Sequence, residues 1–163
     1  HRYPDIVRRL VLVDITPGVN QEKTKQITDF VNGPKTFASL DELLERTIQF
    51  NPTRTVSSLR RGILHNALQR DDGSWVWRHQ QHAPATLTAE PVGDLWATLE
   101  QIPVPITLIR GMAKGSVVDN DDVAELRRRR SDATVIEVDN AGHSIQGDAP
   151  LVLTDILRGI LRG

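Results

Sequence analysis

The sequence predicts an α/β fold built on a parallel β-sheet, and three observations support this prediction. Short β-branched apolar segments occur at residues 9–13, 106–110 and 134–138. Apolar residues at helical spacing follow the second and third segments. A polar or glycine-containing turn ends each segment. Continuous apolar strands are typical of sheets covered on both faces, and strands that alternate with helices are typical of parallel sheets.

The first apolar segment ends in a turn that carries a carboxylate. Residues 1–8 are predicted as a helix tail and a turn, and residues 9–13 as a core strand. The strand cannot continue through the sequence Asp-Ile-Thr-Pro-Gly that follows it. Asp14 is therefore expected at the carboxyl end of the strand, which is the edge of an α/β sheet where ligands bind.

The middle of the chain, residues 19–100, is predicted to be a mainly helical insertion. Ser39 is expected to cap one of its helices, with Glu42 completing a capping box. The predicted elements are helices at 21–31, 40–48, 53–68 and 93–101, a turn at 71–73, an extended aromatic segment at 75–78 and a loop at 84–91.

The alternation of strands and helices returns after this insertion. The predicted elements are strands at 106–110 and 134–138 and helices at 119–130 and 150–161, with Asp119 or Asn120 as the first N-cap. The basic run at residues 127–130 is expected to be a solvated helix end. Because three core strands leave one sheet edge unpaired, and the sequence begins without methionine, we expect a piece of a longer protein that folds poorly alone.

The turn after the last predicted strand carries a histidine. Asn140 and Gly142 cannot continue the strand, and Gly142 is expected to adopt a backbone conformation closed to bulkier residues. His143 is then presented at the same sheet edge as Asp14, where an imidazole is a candidate general base. The alternative is a loop histidine that caps the following helix.

Composition excludes several classes of function. The chain has 163 residues with 21 acidic and 20 basic side chains, which gives no electrostatic basis for binding nucleic acid or an anionic membrane. No apolar run approaches the ~20 residues needed to cross a bilayer, and no secretory signal is visible. The absence of cysteine excludes thiolate chemistry and fits a cytoplasmic protein. Three histidines, His65, His79 and His82, lack the spacing and acidic neighbours of a metal site, so no metal is predicted.

Several stretches, taken in order along the chain, resemble one known family. Residues 1–14 are similar to the segment after the nucleophile helix of α/β-hydrolase fold enzymes, and residues 104–111 to their penultimate core strand. Ala-Gly-His-Ser at 141–144, followed by Asp-Ala-Pro at 148–150, resembles the turn that carries their catalytic histidine. The resemblance implies core pieces at residues 1–18 and 101–163 and a helical cap at residues 19–100.

The nucleophile motif of that family is missing from this sequence. α/β-Hydrolases present a serine in a Gly-x-Ser-x-Gly elbow, and their triad follows the chain order serine, acid, histidine. No such motif occurs here. The resemblance therefore implies that the nucleophile precedes His1 and that this chain holds only the acid and the base. Alone, the chain is expected to be inactive.

Two aspartates compete for the role of the acid. The more common family position follows the penultimate strand, but residues 111–116 contain no carboxylate, and Asp119 suits the first turn of a helix better. An esterase-like subgroup takes its acid from the strand after the nucleophile helix. The Asp-Ile-Thr-Pro sequence at 14–17 and Ser-Val-Val at 116–118 resemble that subgroup. The resemblance thus assigns Asp14 as acid and His143 as base. Three alternatives stay open, namely Asp119 as the acid, a purely turn-forming Asp14, and a triad whose acid is not in this chain.

The resemblance implies hydrolysis of a carboxylic ester or a related small-molecule acyl substrate, with neither metal nor organic cofactor. Trp75 and Trp77 are candidates to line an acyl pocket beneath the cap, although packing of the cap is the alternative. Two other functions stay open, namely epoxide or haloalkane hydrolysis with an aspartate nucleophile and a non-catalytic ligand-binding module. The sequence leaves the oligomeric state open.

Overall fold

A computed structural model describes residues 3–18, 21–52, 54–78 and 94–162 of the chain. The chain divides into two compact units. The core unit consists of His1–Thr24 and Pro91–Gly163, and the inserted unit is Lys25–Glu90. A short 3-10 turn at Pro4–Ile6 precedes the first strand. The elements that follow are β1 (Leu10–Val13), α1 (Gln21–Val31), β2 (Thr36–Phe37), α2 (Leu40–Phe50), α3 (Val56–Asn66), β3 (Ala67–Gln69), β4 (Trp75–Trp77), α4 (Leu95–Glu100), β5 (Ile106–Gly111), α5 (Asn120–Arg129), β6 (Thr134–Val138), α6 (Ile145–Asp148) and α7 (Pro150–Arg162).

The core unit contains the parallel sheet that the sequence predicts. Its strands lie in the order β1-β5-β6, and both neighbouring pairs are parallel. The central strand β5 is the most buried, with Ile106, Leu108 and Ile109 at most 1% exposed. Ile109 packs with Val138 of β6 and with residues of α6 and α7 in one hydrophobic cluster. The prediction of an α/β fold with parallel strands is therefore confirmed.

The inserted unit contains a small antiparallel sheet in addition to its helices. Strands β2, β4 and β3 form this sheet in that order. The helix predicted at 53–68 ends at Asn66, because the chain reverses at residues 70–74 and β3 pairs with β4. Arg70 N donates to Ser74 O at 2.8 Å in that turn. The prediction that Ala67 and Leu68 are helical is therefore wrong. The loop predicted at 84–91 lies outside the described residues.

The predicted cap of α2 is confirmed, with a different partner for its glutamate. The Ser39 hydroxyl accepts the backbone N–H of Glu42 at 3.1 Å. The carboxylate of Glu42 accepts from the backbone N–H of Ala38, one residue before the N-cap, at 2.6 Å. The helix start is stabilised as a capping box would stabilise it, because both ends of the turn are bonded.

The basic run at the end of α5 is only partly solvated, which corrects the expectation of an exposed helix end. Arg127 and Arg128 are exposed, whereas the side chains of Arg129 and Arg130 are 19% and 11% exposed. Arg130 donates to the carbonyls of Ile102 at 2.5 Å and Val104 at 3.1 Å. These bonds fix the segment that leads into β5. The described helices include none with the length and apolarity that crossing a bilayer demands.

Candidate active site

Asp14 lies directly after β1, where the chain turns away from the sheet. Its backbone N–H still donates to Ile109 O of β5 at 2.7 Å. Its φ of 48° lies in the left-handed region, which aspartate tolerates better than most residues. The Asp14 side chain is 0% exposed. The end of the strand therefore places a carboxylate inside the protein.

Four groups among the described residues bind the buried carboxylate of Asp14. Oδ1 accepts from Gly111 N at 2.9 Å and from Ser116 Oγ at 2.6 Å. Oδ2 accepts from Val117 N at 3.1 Å and lies 3.2 Å from His143 Nδ1. A buried charge is tolerated only when hydrogen bonds replace its lost hydration, and these contacts do so.

The charge state of Asp14 results from opposing effects. Burial raises the pKa of the carboxyl, but the hydrogen bonds from His143, Ser116, Gly111 and Val117 together outweigh burial. The pKa of Asp14 is thus held below its usual value, so the group is a carboxylate at neutral pH.

Three of the donors to Asp14 come from the end of β5 and from the loop between β5 and α5. Gly111 ends β5, and Ser116 and Val117 follow Gly115, whose φ is 99°. Ser116 Oγ also accepts Val118 N at 3.2 Å, which keeps the hydroxyl in place. The sequence indicated Ser116 only through the resemblance of residues 116–118 to a family pattern, and not as a donor to Asp14. The glycine before the serine, in a loop that follows a strand, was the one local signal of a tight turn here.

The turn that carries His143 packs against the end of β5. Asn140, and not Gly142, has the left-handed backbone, with φ of 58°. The expectation that Gly142 provides the special conformation is therefore wrong. Gly142 instead allows close packing, because a side-chain carbon there would lie 3.1 Å from Lys114 O. Its N–H donates to Asp148 Oδ2 at 2.9 Å.

His143 bonds to Asp14 instead of capping the next helix. Ser144 is the N-cap residue of α6. The imidazole is 34% exposed, and its Nδ1 faces Asp14. The hydrogen bond to Asp14 raises the pKa of His143, and this effect exceeds that of burial, which lowers it. In the neutral ring, a proton on Nδ1 donated to Asp14 leaves Nε2 as the basic nitrogen.

Asp119 occupies a different position from Asp14. It is the N-cap of α5, where Oδ1 accepts Asp122 N at 2.9 Å in a capping box. Its carboxylate also forms an ion pair with Lys23 at 2.7 Å, and these contacts lower the pKa of Asp119. Asp14 is therefore the aspartate that the structure brings into contact with His143.

The two tryptophans proposed as substrate contacts lie in the inserted unit. Trp75 and Trp77 are half-buried on β4 and pack against a hydrophobic cluster that includes Phe37 and Leu43. The ring of Trp77 also meets Phe30 edge-on, with 5.9 Å between centroids. Packing accounts for both side chains, and a substrate contact stays a prediction. His65 is exposed on α3, while His79 and His82 lie outside the described residues.

Comparison with known proteins gives one similar curated relative and several similar folds. No protein-family model matches the chain. The chain is 39% identical over 165 residues to Esterase Rv0045c of Mycobacterium tuberculosis, covering 97% of this chain and 54% of that protein. It thus spans about half the length of the curated relative it matches. The crystal structure of that esterase superposes with a TM-score of 0.79 over 99% of this chain and 54% of the esterase chain.

Two more distant structures share the fold. One is E-2-(acetamidomethylene)succinate hydrolase, at 20% identity and a TM-score of 0.78, with 99% of this chain and 60% of that chain covered. The other is an alpha/beta hydrolase from Novosphingobium aromaticivorans, at 19% identity and a TM-score of 0.71, with 99% and 59% covered. At these identities the similarity shows the fold alone.

Proposed function

We propose that this chain, which has the α/β-hydrolase fold, belongs to that family and supplies the acid and the base of a serine-type ester hydrolase. His143 is the base and Asp14 the acid of this proposal. The nucleophilic serine and most of the oxyanion hole would come from a part of the protein outside the present sequence. The 54% of the esterase relative that this chain spans leaves room for that part.

The proposed reaction uses the two nitrogens of His143 for different tasks. Nε2 takes the proton of the serine hydroxyl as the serine oxygen attacks the ester carbonyl, and then gives it to the leaving alcohol. Water attacks the acyl-enzyme next, again losing its proton to Nε2, and the carboxylic acid leaves as the serine regains its proton. Asp14 accepts Nδ1–H throughout, which fixes the tautomer and stabilises the imidazolium.

One observation carries this proposal, namely the 3.2 Å contact between His143 Nδ1 and a fully buried Asp14 carboxylate. Three further donors orient that carboxylate. A histidine–aspartate ion pair on the surface would need neither a buried carboxylate nor three further donors to it. The esterase relative supports the ester as substrate class, because acid and base alone do not select the bond that is broken.

Other parts of the proposal rest on chain order and composition. The inserted unit occurs between β1 and β5 in the chain, as a cap would, and is proposed as the cap that carries Trp75 and Trp77. The substrate is proposed to be a small-molecule ester, and the chemistry described above requires neither metal nor organic cofactor. A cytoplasmic location stays a prediction from the cysteine-free composition.

The proposal is tested on the full-length protein with 4-nitrophenyl esters and a fluorophosphonate probe, which labels activated serines. We expect ester turnover and covalent labelling of one serine in the wild type. His143→Ala should lower kcat at least about 1,000-fold and slow labelling, since the serine loses its base. His65→Ala, which changes an exposed histidine of α3, is the matched control and should leave both unchanged.

Three results would count against the proposal. Turnover that survives His143→Ala would remove the histidine from the mechanism. Modification of an aspartate by an epoxide or haloalkane, with no labelled serine, would move the chemistry to the other nucleophile class. Binding of an ester without turnover would favour a ligand-binding module.

A further inference from the structure

The side chain of Arg110 closes the loop that binds Asp14. Arg110 lies on β5, next to Gly111, and its side chain is 11% exposed. Its Nε donates to Val118 O at 3.0 Å, and its Nη1 donates to Asn120 Oδ1 at 2.8 Å. It also lies 3.5 Å from a carboxylate oxygen of Glu137 on β6. One guanidinium thus joins the end of the strand to the far end of the loop.

The near end of that loop has its own backbone anchors. Met112 N donates to Val138 O at 3.0 Å, and Ala113 N donates to Ala141 O at 2.9 Å. Beyond these residues the chain leaves the sheet. Ser116 and Val117, which donate to Asp14, occur in this outer part, directly before Val118. Within the loop, Ser116 N donates to Ala113 O at 3.3 Å. The bonds of Arg110 act further along the loop, on Val118 and Asn120.

We propose that Arg110 is a positioning residue that holds residues 116–118 in place, so that Ser116 and Val117 keep Asp14 oriented toward His143. This proposal rests on the proposed function, in which Asp14 and His143 are acid and base. Arg110 acts through the loop and not on Asp14 directly. Its guanidinium donates to Val118 and Asn120, whereas Ser116 and Val117 donate to Asp14.

Loss of this anchor has a specific chemical consequence. A buried carboxylate that loses two donors becomes harder to keep charged, since burial alone raises its pKa. A less charged or misdirected Asp14 then stabilises protonated His143 less. A merely structural arginine, by contrast, would change the free energy of unfolding and leave the titration of His143 as it is.

The experiment is an NMR titration of the His143 ring in full-length protein without substrate, for wild type and Arg110→Met. We expect the pKa of His143 to fall in Arg110→Met toward its ordinary value. In the ester assay, kcat should fall by up to about 100-fold with a smaller change in KM, because orientation and not substrate binding is lost. Arg110→Lys should not restore kcat, since an ammonium group cannot reproduce the two bonds of the planar guanidinium.

Two matched controls separate positioning from charge and from general stability. Glu137→Gln removes the ion pair of Arg110 but keeps its loop bonds, and should leave the titration unchanged. Arg128→Met removes an exposed arginine paired with Glu125 in the same unit, and should also leave it unchanged. Asn120→Ala removes one of the two loop bonds and should shift the pKa of His143 in the same direction, by less.

A double variant tests the route through the loop. If Arg110 acts through the Ser116 donor, Arg110→Met should cost less kcat in a Ser116→Ala background than in the wild type. An unchanged pKa of His143 in Arg110→Met overturns the proposal. If Arg110→Met does not fold, the same result in Asn120→Ala overturns it. A shifted titration in a protein that turns over no ester would preserve the positioning role and reject the esterase function.

Discussion

At the scale of single residues, Asp14 shows how a strand end becomes a site. The position of Asp14 and of His143 could be predicted, because Asp14 follows β1 directly, His143 lies in the short turn after β6, and parallel strands end at one edge. The backbone donors to Asp14 could not be predicted, because the N–H groups of Gly111 and Val117 leave no pattern in the sequence. Which groups surround a buried carboxylate is decided by loop geometry.

The exchange of Asp14 for asparagine is the direct test of the pair. The hydrogen bond and the charge of Asp14 raise the pKa of His143, so the wild-type base form is gained only as pH rises through a value above the usual 6.5. Asp14→Asn should lower kcat for esters roughly 10³–10⁴-fold and move the rising limb of the kcat profile to lower pH. Full-length protein assayed across the pH range provides the measurement. A limb that stays in place would show that another group sets this pKa.

The pKa shifts of Asp14 and His143 also predict how the free energy of unfolding depends on pH. His143 has a raised pKa, so its contribution is complete below its unfolded value and is lost as pH rises through the folded value. Asp14 has a lowered pKa, so its contribution is complete above its unfolded value of 3.8 and is lost as pH falls through the folded value. The loss of unfolding free energy caused by Asp14→Asn should therefore be greatest between about pH 3.8 and pH 6.5, the ordinary pKa values of the two groups. Urea unfolding at several pH values measures this loss.

At the scale of elements, the end of β5 and the histidine turn fit together without free space. A side-chain carbon at Gly111 would lie 2.5 Å from the carbonyl oxygens of both Ala141 and Gly142. Both neighbours are backbone and cannot rotate away. The predicted strand ended at Arg110, and the structure extends it to Gly111, where the last pair with Val138 forms. The need for glycine there follows from packing and is not visible in the strand pattern.

Gly111→Ala should therefore damage stability and the site together. We expect the free energy of unfolding to fall by about 1–3 kcal/mol and kcat to fall as well, because the turn that carries His143 must move. Gly159→Ala is the matched control, since nothing lies within 4 Å of the added carbon on α7. That change should be neutral or stabilise by up to ~1 kcal/mol. Equal effects of the two substitutions in urea unfolding would contradict close packing at Gly111.

At the scale of the whole molecule, two hydrophobic clusters belong to different units. One contains Ile109, Val138 and Leu153 of the core unit, and the other contains Phe37, Leu43 and Ile63 of the inserted unit. The parallel sheet could be predicted, since its apolar runs are four to six residues long. The antiparallel sheet was missed because its strands have two or three residues, too few to show alternation.

Separate clusters predict separate effects of core substitutions. Leu43→Ala should lower the free energy of unfolding of the inserted unit by about 2–5 kcal/mol, because Leu43 is 0% exposed. The NMR titration of His143 should stay unchanged, as the hydrophobic cluster of the core unit, which contains Ala141 and Ile145, shares no residue with that of Leu43. Leu64→Ala, at an exposed position of α3, is the control and should stay within ~0.5 kcal/mol of the wild type. A His143 titration that moves with Leu43→Ala would contradict this separation.

Asp14 is synthesised well before the groups that bind its carboxylate. Its partners follow it in the chain by 97 residues for Gly111, 102 for Ser116, 103 for Val117 and 129 for His143. At ribosomal speeds of about 5–20 residues per second, the nascent chain carries this acid for roughly 5–25 seconds before its partners exist. The carboxylate must stay hydrated until then, so its complete burial follows the synthesis of residues 111–143. A ribosome that stops before His143 releases a chain in which that burial cannot be completed.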